Sequence, residues 1–290
     1  MVDEVVARPI EKWTLGKSFR RGAAGVYVIW LRDFKIFWRD TPRRVGAFVQ
    51  PFIYLFILGT GLQSAFTTFG GGSTKFVTFM YPGIIGMTVL FTSVFSAISI
   101  IWDRQFGFLK EVMTAPIPRT SVAVGKILGG GTTALLQALV LLALMPVIGG
   151  IHITLEKYIL APIIMIVLSI GMTSLGVAVA ARLKSFEGFP IIMNFLLLPL
   201  LFLSGAMFPL QGLPGWMKVL TRIDPLTYGV DALRGVILKG TNIVSGSANL
   251  PSGITSLKIQ NYPLALDLLI ILGITLVLTL FAIWRFRSVE

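Results

Sequence analysis

The sequence contains no cysteine, a single histidine and only 13% charged residues. Without cysteine there are no disulfides, no thiolate metal ligands and no thiol nucleophile. With His152 alone, placed in an expected outer loop, no histidine-based metal site or acid/base pair can form within one chain. A phosphate-binding loop is also missing: TLGKS, Thr14 to Ser18, ends like GxxxxGK[ST] but has Glu11 where the leading glycine belongs, and no apolar strand precedes it. The start, MVDEVVARPIEKW, lacks the short apolar run and small-residue cleavage site of a secretory leader, so the first span is expected to act as its own insertion signal.

A soluble domain carries about 25% charge. This chain carries half of that and is 55% hydrophobic, with a mean hydropathy of +0.84, which makes it an integral membrane protein. A helical span needs about 20 apolar residues. Uncharged runs of that order occupy Gly46 to Thr74, Phe76 to Trp102, Ile127 to Leu155, Tyr158 to Ala181 and Gly188 to Met217. A sixth, Leu268 to Trp284, becomes long enough if it begins near Pro263 and keeps Asp267 hydrated at its outer edge.

The formal charge of +12 follows topology rather than a nucleic-acid stripe. Eighteen of the 25 Lys and Arg residues fall in Met1 to Arg44, Asp103 to Lys126, Arg182 with Lys184, and Arg285 with Arg287. Six spans with both termini on one side place all eighteen there, as the positive-inside rule expects for cytoplasm. Inside the spans the polar side chains are Gln50, Gln137, Asn194 and scattered Ser and Thr, with Lys126 near a cytoplasmic end. Ion-coupled carriers and pumps place ionisable groups there, so these readings are disfavoured, while a passive channel stays open.

Between the spans lie four features. In VYVIWLRDFKIFWRD, Tyr27, Trp30, Leu31, Phe34, Phe37 and Trp38 share one helical face, with Arg32, Lys35 and Arg39 opposite. This reads as an amphipathic helix in the membrane interface, either an anchor or a connection to a cytoplasmic partner. FGGGS, Phe69 to Ser73, is a flexible outer turn. Gly125 with Gly129, and Gly176 with Ala180, have the small-xxx-small spacing of close helix packing. After the fifth span, interrupted by Pro199 and Pro209, Gly215 to Thr221 and Pro225 to Gly235 are too short to cross and read as half-helices, with Asp231 and Arg234 as a local ion pair.

DRQFGFLKEVMTAPIPRTS, Asp103 to Ser121, is a charged, helix-prone segment stopped by Pro116 and Pro118, with Phe106, Leu109, Val112 and Met113 on one face. It fits either a loop on the headgroups or a helix seated on a soluble subunit. DRQFGFLKEVMTAPIPRTSVAVGKIL resembles the signature region of the permease subunits of type-2 ABC exporters, of the daunorubicin-resistance and nodulation-factor-export type. FPLQGLPGWMKVLTRIDPLTYGVDALRG resembles the segment after the fifth span in the same family.

The resemblance implies an all-α permease that divides into an N-terminal cytoplasmic segment, residues 1–43, and a six-span domain, residues 44–290. A coupling helix is expected near residues 103–115 and an outer re-entrant segment near 210–236. It further implies a dimer, expected to be a homodimer, served by two copies of a separate ATP-binding subunit that holds ATP and Mg; this chain would hold no cofactor and catalyse nothing. Carried over by position, Arg104 to Glu111 would be the coupling helix, with Phe106, Phe108 and Leu109 docking around Gly107, and Lys110 and Glu111 as polar contacts. Tyr27, Trp30, Phe34 and Arg39 would belong to the interface helix. Trp216, Asp224, Pro225, Tyr228, Asp231 and Arg234 would belong to the outer gate. The path between protomers would be lined by spans one, two and five, and span position nominates Phe52, Phe56, Phe91, Phe95, Asn194 and Met207. The expected activity is ATP-driven export of an amphipathic, lipid-like or glycan substrate across a prokaryotic plasma (inner) membrane. Two alternatives stand beside it: an ATP-independent channel or carrier, and a lipid-acting enzyme using Asp224, Asp231 and Arg222.

Overall fold

The computed structural model describes residues 15–63, 76–114, 117–150, 154–183, 185–207, 210, 213–238 and 262–287. The expected turn at Phe69 to Ser73, His152, Pro116 and Pro209 lie outside the described residues. Among the described residues all regular structure is helical: α1 (Leu15–Arg39), α2 (Thr41–Gly61), α3 (Phe76–Ser96), α4 (Ile98–Gln105), α5 (Phe108–Thr114), α6 (Arg119–Gly149), α7 (Leu155–Ala180), α8 (Gly188–Leu203), α9 (Gly215–Ile223), α10 (Pro225–Ile237) and α11 (Leu264–Arg287). Among the described residues five stretches are long and apolar enough to cross a membrane: α2, α3 continuing into α4, α6, α7 and α11. The helix expected as the fifth span, α8, has 16 residues. The apolar run is longer, but the chain leaves the helix at Ser204 and turns through Gly205, at φ +74°. α11 begins just after Pro263, as length required.

The two most buried of these helices, α3 and α7, form the centre, while α2 and α11 lie at the rim. Small side chains bring the central helices together. Gly130 of α6 faces Ser96 and Thr173, and Gly176 of α7 lies against the backbone of Val94; a side chain at either would hold the pair apart. The Gly125–Gly129 pair has a different partner from the one its spacing suggested. Ile29 and the Val26 carbonyl fill the notch at Gly125, and Asp33 fills the one at Gly129, so this pair receives α1 rather than another span.

α1 consequently has two working faces. Gly22, Gly25, Ile29 and Phe37 are buried, the first three against the Ile117–Gly125 region. Tyr27, Trp30, Phe34 and Trp38 form a continuous ladder of rings, 5.7 to 6.1 Å between successive centroids, on the more exposed side. The Trp30 indole N–H donates to Thr132 Oγ1 at 3.0 Å. Tyr27, Trp30, Phe34 and Trp38 therefore mark the outward face, whereas Phe37, expected beside them, turns to the packed face with the small residues.

The segment α4–α5 is not one helix over Arg104 to Glu111. Gly107, at φ +79°, breaks it into two. A left-handed residue cannot continue a right-handed helix, and glycine accepts it without a Cβ penalty. Phe106 and Leu109 therefore do not share a face: Phe106 is 73% exposed and stacks on Trp102 with centroids 5.3 Å apart, whereas Leu109 is buried. Asp267 also departs from expectation. It is fully enclosed, because the first turn of α11 packs against its neighbours instead of standing in water.

Candidate functional site

Two sites emerge, at one end of the bundle and along its side. The end is where α3 passes into α4 and α5, α6 begins, α7 ends and α11 ends; Arg119 Nη1 donates to the Arg287 carbonyl there at 3.1 Å. Four charges from three segments meet at this end. Arg32 of α1 donates to Asp33 Oδ1 at 2.8 Å and to Asp103 Oδ2 at 2.5 Å. Lys126 of α6 reaches Asp33 Oδ2 at 3.0 Å, Asp103 Oδ2 at 2.6 Å and Ser99 Oγ at 3.1 Å. Two cations and two carboxylates balance. Burial pushes the Arg32 guanidinium down, but its hydrogen bond to Asp103 and the charges of Asp33 and Asp103 more than offset it, so its pKa rises.

The same guanidinium lies 4.0 Å from the ring centroid of Phe108, so the charge cluster extends into α5. Arg104 acts in a different direction. Its Nη1 donates to Leu183 O at 2.7 Å and its Nη2 to Ala181 O at 2.8 Å, capping the carbonyl end of α7. Trp102 meets Phe186 edge-on at 4.8 Å. The elbow is thus fastened to α1, α6 and the α7–α8 junction. Phe106 and Glu111 are exposed, as are Trp102, Gln105 and Thr114; Leu109 is an internal anchor, and Phe108 supports Arg32. Arg39 is exposed at the last turn of α1.

The second site is a cleft of about 370 Å³ between α2, α3, α6 and α8. α2 contributes Ala47, Gln50 and Pro51; α3 contributes Met87, Thr88, Phe91, Thr92 and Phe95; α6 contributes Gln137 and α8 contributes Asn194. Phe91 and Phe95 lie parallel, 6.2 Å apart and 7° between planes, and Phe95 meets Phe189 edge-on. Of the six nominated path residues, Phe91, Phe95 and Asn194 line this cleft. Phe56 lines a separate hollow of about 510 Å³ with Gly59, Thr60, Gln63, Val77 and Ile148, and Phe52 and Met207 pack against the core. The three amides noted as the polar residues of the spans, Gln50, Gln137 and Asn194, all come to the one cleft.

At the opposite end α9 and α10 differ sharply. α9 exposes Trp216, Val219 and Ile223, whereas α10 is buried from Pro225 to Arg234. Asp224 caps α10, Oδ1 accepting from Leu226 N at 2.9 Å and Oδ2 from Thr227 Oγ1 at 3.1 Å, with Pro225 at the first helical position. Tyr228 O–H donates to Arg222 O at 2.7 Å. The side chain of Asp231 accepts from Tyr262 N at 3.0 Å. Arg234 donates to Gly205 O at 2.7 Å and lies over the Phe79 ring at 4.5 Å. These carboxylates serve as cap and loop anchor, an arrangement suited to holding α10 in place.

The family model described as ABC-2 type transporter matches residues 24–238, a stretch that includes both sites. The chain belongs to the ABC-2 type transporter family. Among its relatives, ycf38 of Cyanophora paradoxa, whose name calls it a transport permease, is 28% identical over 192 residues, 66% of each chain. Nodulation protein J of Rhizobium meliloti (strain 1021) is 27% identical over 214 residues, 72% of this chain and 80% of that one. The doxorubicin resistance ABC transporter permease protein DrrC of Mycobacterium tuberculosis, named as probable, is 25% identical over 209 residues, 70% and 72% respectively. The match thus spans about two thirds or more of each relative. This chain is accordingly a permease component of an ABC transport system. Among the described residues no group of three His, Cys, Asp or Glu side chains is placed to hold a metal.

The sequence reading missed the charge cluster. Its signal was present as Asp33, Asp103 and Lys126 at the margins of apolar segments, where charges read as flanks until the fold brings them together.

Proposed function

We propose that this ABC-2 permease is the membrane subunit of an ATP-driven exporter, working as a homodimer with two copies of a separate ATP-binding subunit seated on the α4–α5 elbow. The reading has six spans with α8 as the short fifth, α1 at the cytoplasmic interface, both termini in the cytoplasm of a prokaryotic cell, and α9–α10 as the outer re-entrant gate. The observation that carries it is the fastening of the elbow. A push on α5 passes through Phe108 to Arg32 and the charge cluster, reaching α1 and α6, while Arg104 carries it to the end of α7. The clefts of the two protomers then supply the route for an amphipathic, lipid-like or glycan cargo. ATP binding would draw the two motor subunits together and move the elbows with them.

Phe106→Ala and Glu111→Ala are the clean probes of docking, since both side chains are exposed and neither supports the core. Each is expected to leave the melting temperature unchanged and to lower nucleotide-driven transport by about tenfold, the effect of losing an interface residue worth more than 1 kcal/mol. Phe108→Ala is expected to lower stability as well, because it removes the platform under Arg32. The general test is transport in proteoliposomes with and without the ATPase. Solute movement by the permease alone, without nucleotide, would replace the exporter by the channel reading.

A further inference from the structure

The cleft contains a hydrogen-bond donor with nothing to bond. Gln137 is 1% exposed, its Oε1 accepts from Thr92 Oγ1, and its Nε2 has no partner. An unpaired buried donor is costly and calls for an explanation. Here Gln137 borders a cavity of the size that ligand sites occupy, about 300 to 1,000 Å³. The walls add the amides of Gln50 and Asn194 and the parallel rings of Phe91 and Phe95, and among the described residues no lining side chain carries a charge.

We propose that this cleft is a recognition site for the uncharged, polyhydroxylated head of an amphiphile, such as a glycosyl group, with Gln137 Nε2 donating to one of its oxygens. The inference rests on the transport reading for its biological meaning but not for its chemistry. Amide side chains offer both donors and acceptors, matching hydroxyls that do the same. Aromatic rings beside them accept the apolar face of a sugar ring, and Met87 and Pro51 accommodate its alkyl attachment. A cationic or anionic head would enter a site of low dielectric with no counter-ion, which is unfavourable. A site built around a hydrogen bond discriminates strongly against ligands that cannot make it.

The test uses the permease–ATPase complex in phosphatidylcholine nanodiscs and a tritiated octyl glucoside carrying a diazirine on its alkyl chain, kept below its micelle-forming concentration. Photolabelling is expected on peptides of α3, α6 and α8, displaced by octyl glucoside and not by octyltrimethylammonium at equal concentration. Gln137→Met keeps the shape and removes the donor, and Thr92 can turn its hydroxyl to the carbonyl one turn back; labelling should fall about fivefold to tenfold at unchanged melting temperature. Asn194→Leu, at an exposed position with no fold to break, provides a second variant and should also lower it. Equal displacement by the ammonium compound, or labelling unchanged in both variants, overturns the proposal. If the cleft takes no glucoside while the ATPase remains bound and nucleotide-driven transport persists, the inference fails and the exporter reading stands. If the cleft labels as expected in permease to which no ATPase binds, the recognition site stands and the exporter reading fails.

Discussion

Lys126→Met is expected to destabilise the protein by about 3–5 kcal/mol, the usual effect of removing one partner from a buried ion group. Lys126 is 3% exposed by side chain and bonds both Asp33 and Asp103, which are 11% and 15% exposed. Without it Arg32 alone faces two carboxylates, and α6 loses its ionic attachment to α1 and α4. Methionine fills the space left by the aliphatic stem, so the loss measures charge rather than a cavity. The double variant Lys126→Met with Asp103→Asn restores a one-to-one balance and should recover a substantial part of the loss. Thermal unfolding of detergent-purified protein, followed by size-exclusion chromatography, reads both. An unchanged midpoint for Lys126→Met would mean that the cluster behaves like an exposed surface pair, worth about 0–1 kcal/mol, and could not transmit movement from the elbow.

Gly83→Ala is expected to prevent correct assembly of the end that holds α9 and α10. A Cβ at Gly83 would fall on the carbonyl group of Ala206, backbone that has no rotamer in which to retreat. Three residues further along α3, a Cβ at Gly86 would come 2.6 Å from Val230 Cγ2, a side chain that can give way. Gly86→Ala should therefore cost less, within the 1–3 kcal/mol typical of overpacking. Gly83→Ala should cost more, because the displaced turn also holds Gly205, whose carbonyl takes the buried Arg234 guanidinium. Yield of monodisperse protein and accessibility of single cysteines placed in α9 measure the difference. Equal behaviour of the two variants would show that the turn after α8 moves freely against α3, contrary to the packing described.

Much of the helical plan was legible because lipid imposes a simple rule, that apolar runs become helices. The two short helices after the fifth apolar run were also readable, as Gly215 to Thr221 and Pro225 to Gly235, within two residues of the observed Gly215–Ile223 and Pro225–Ile237. The length of α8 was not, since Ser204 to Ala206 are as apolar or small as the helix they end, and only a positive φ at Gly205 separates them. Gly125 and Gly129 announced a close approach, but spacing cannot name the approaching helix. The cleft was half legible. Gln50, Gln137 and Asn194 stood out as the amides of the spans, yet they lie on three different helices, and only tertiary packing shows that they converge while Phe56 does not.

The most direct measurement of the central claim is co-purification. This chain is expressed with the ATP-binding subunit proposed to serve it, purified through a tag on this chain, and assayed for bound ATPase, beside the double variant Phe106→Ala with Glu111→Ala. The account predicts a stoichiometric ATPase with the parent chain and its loss with the double variant, whose own melting temperature stays that of the parent. An ATPase that binds the parent and the variant equally would place the motor elsewhere than the α4–α5 elbow, and no ATPase on a correctly folded parent would contradict the proposed coupling altogether.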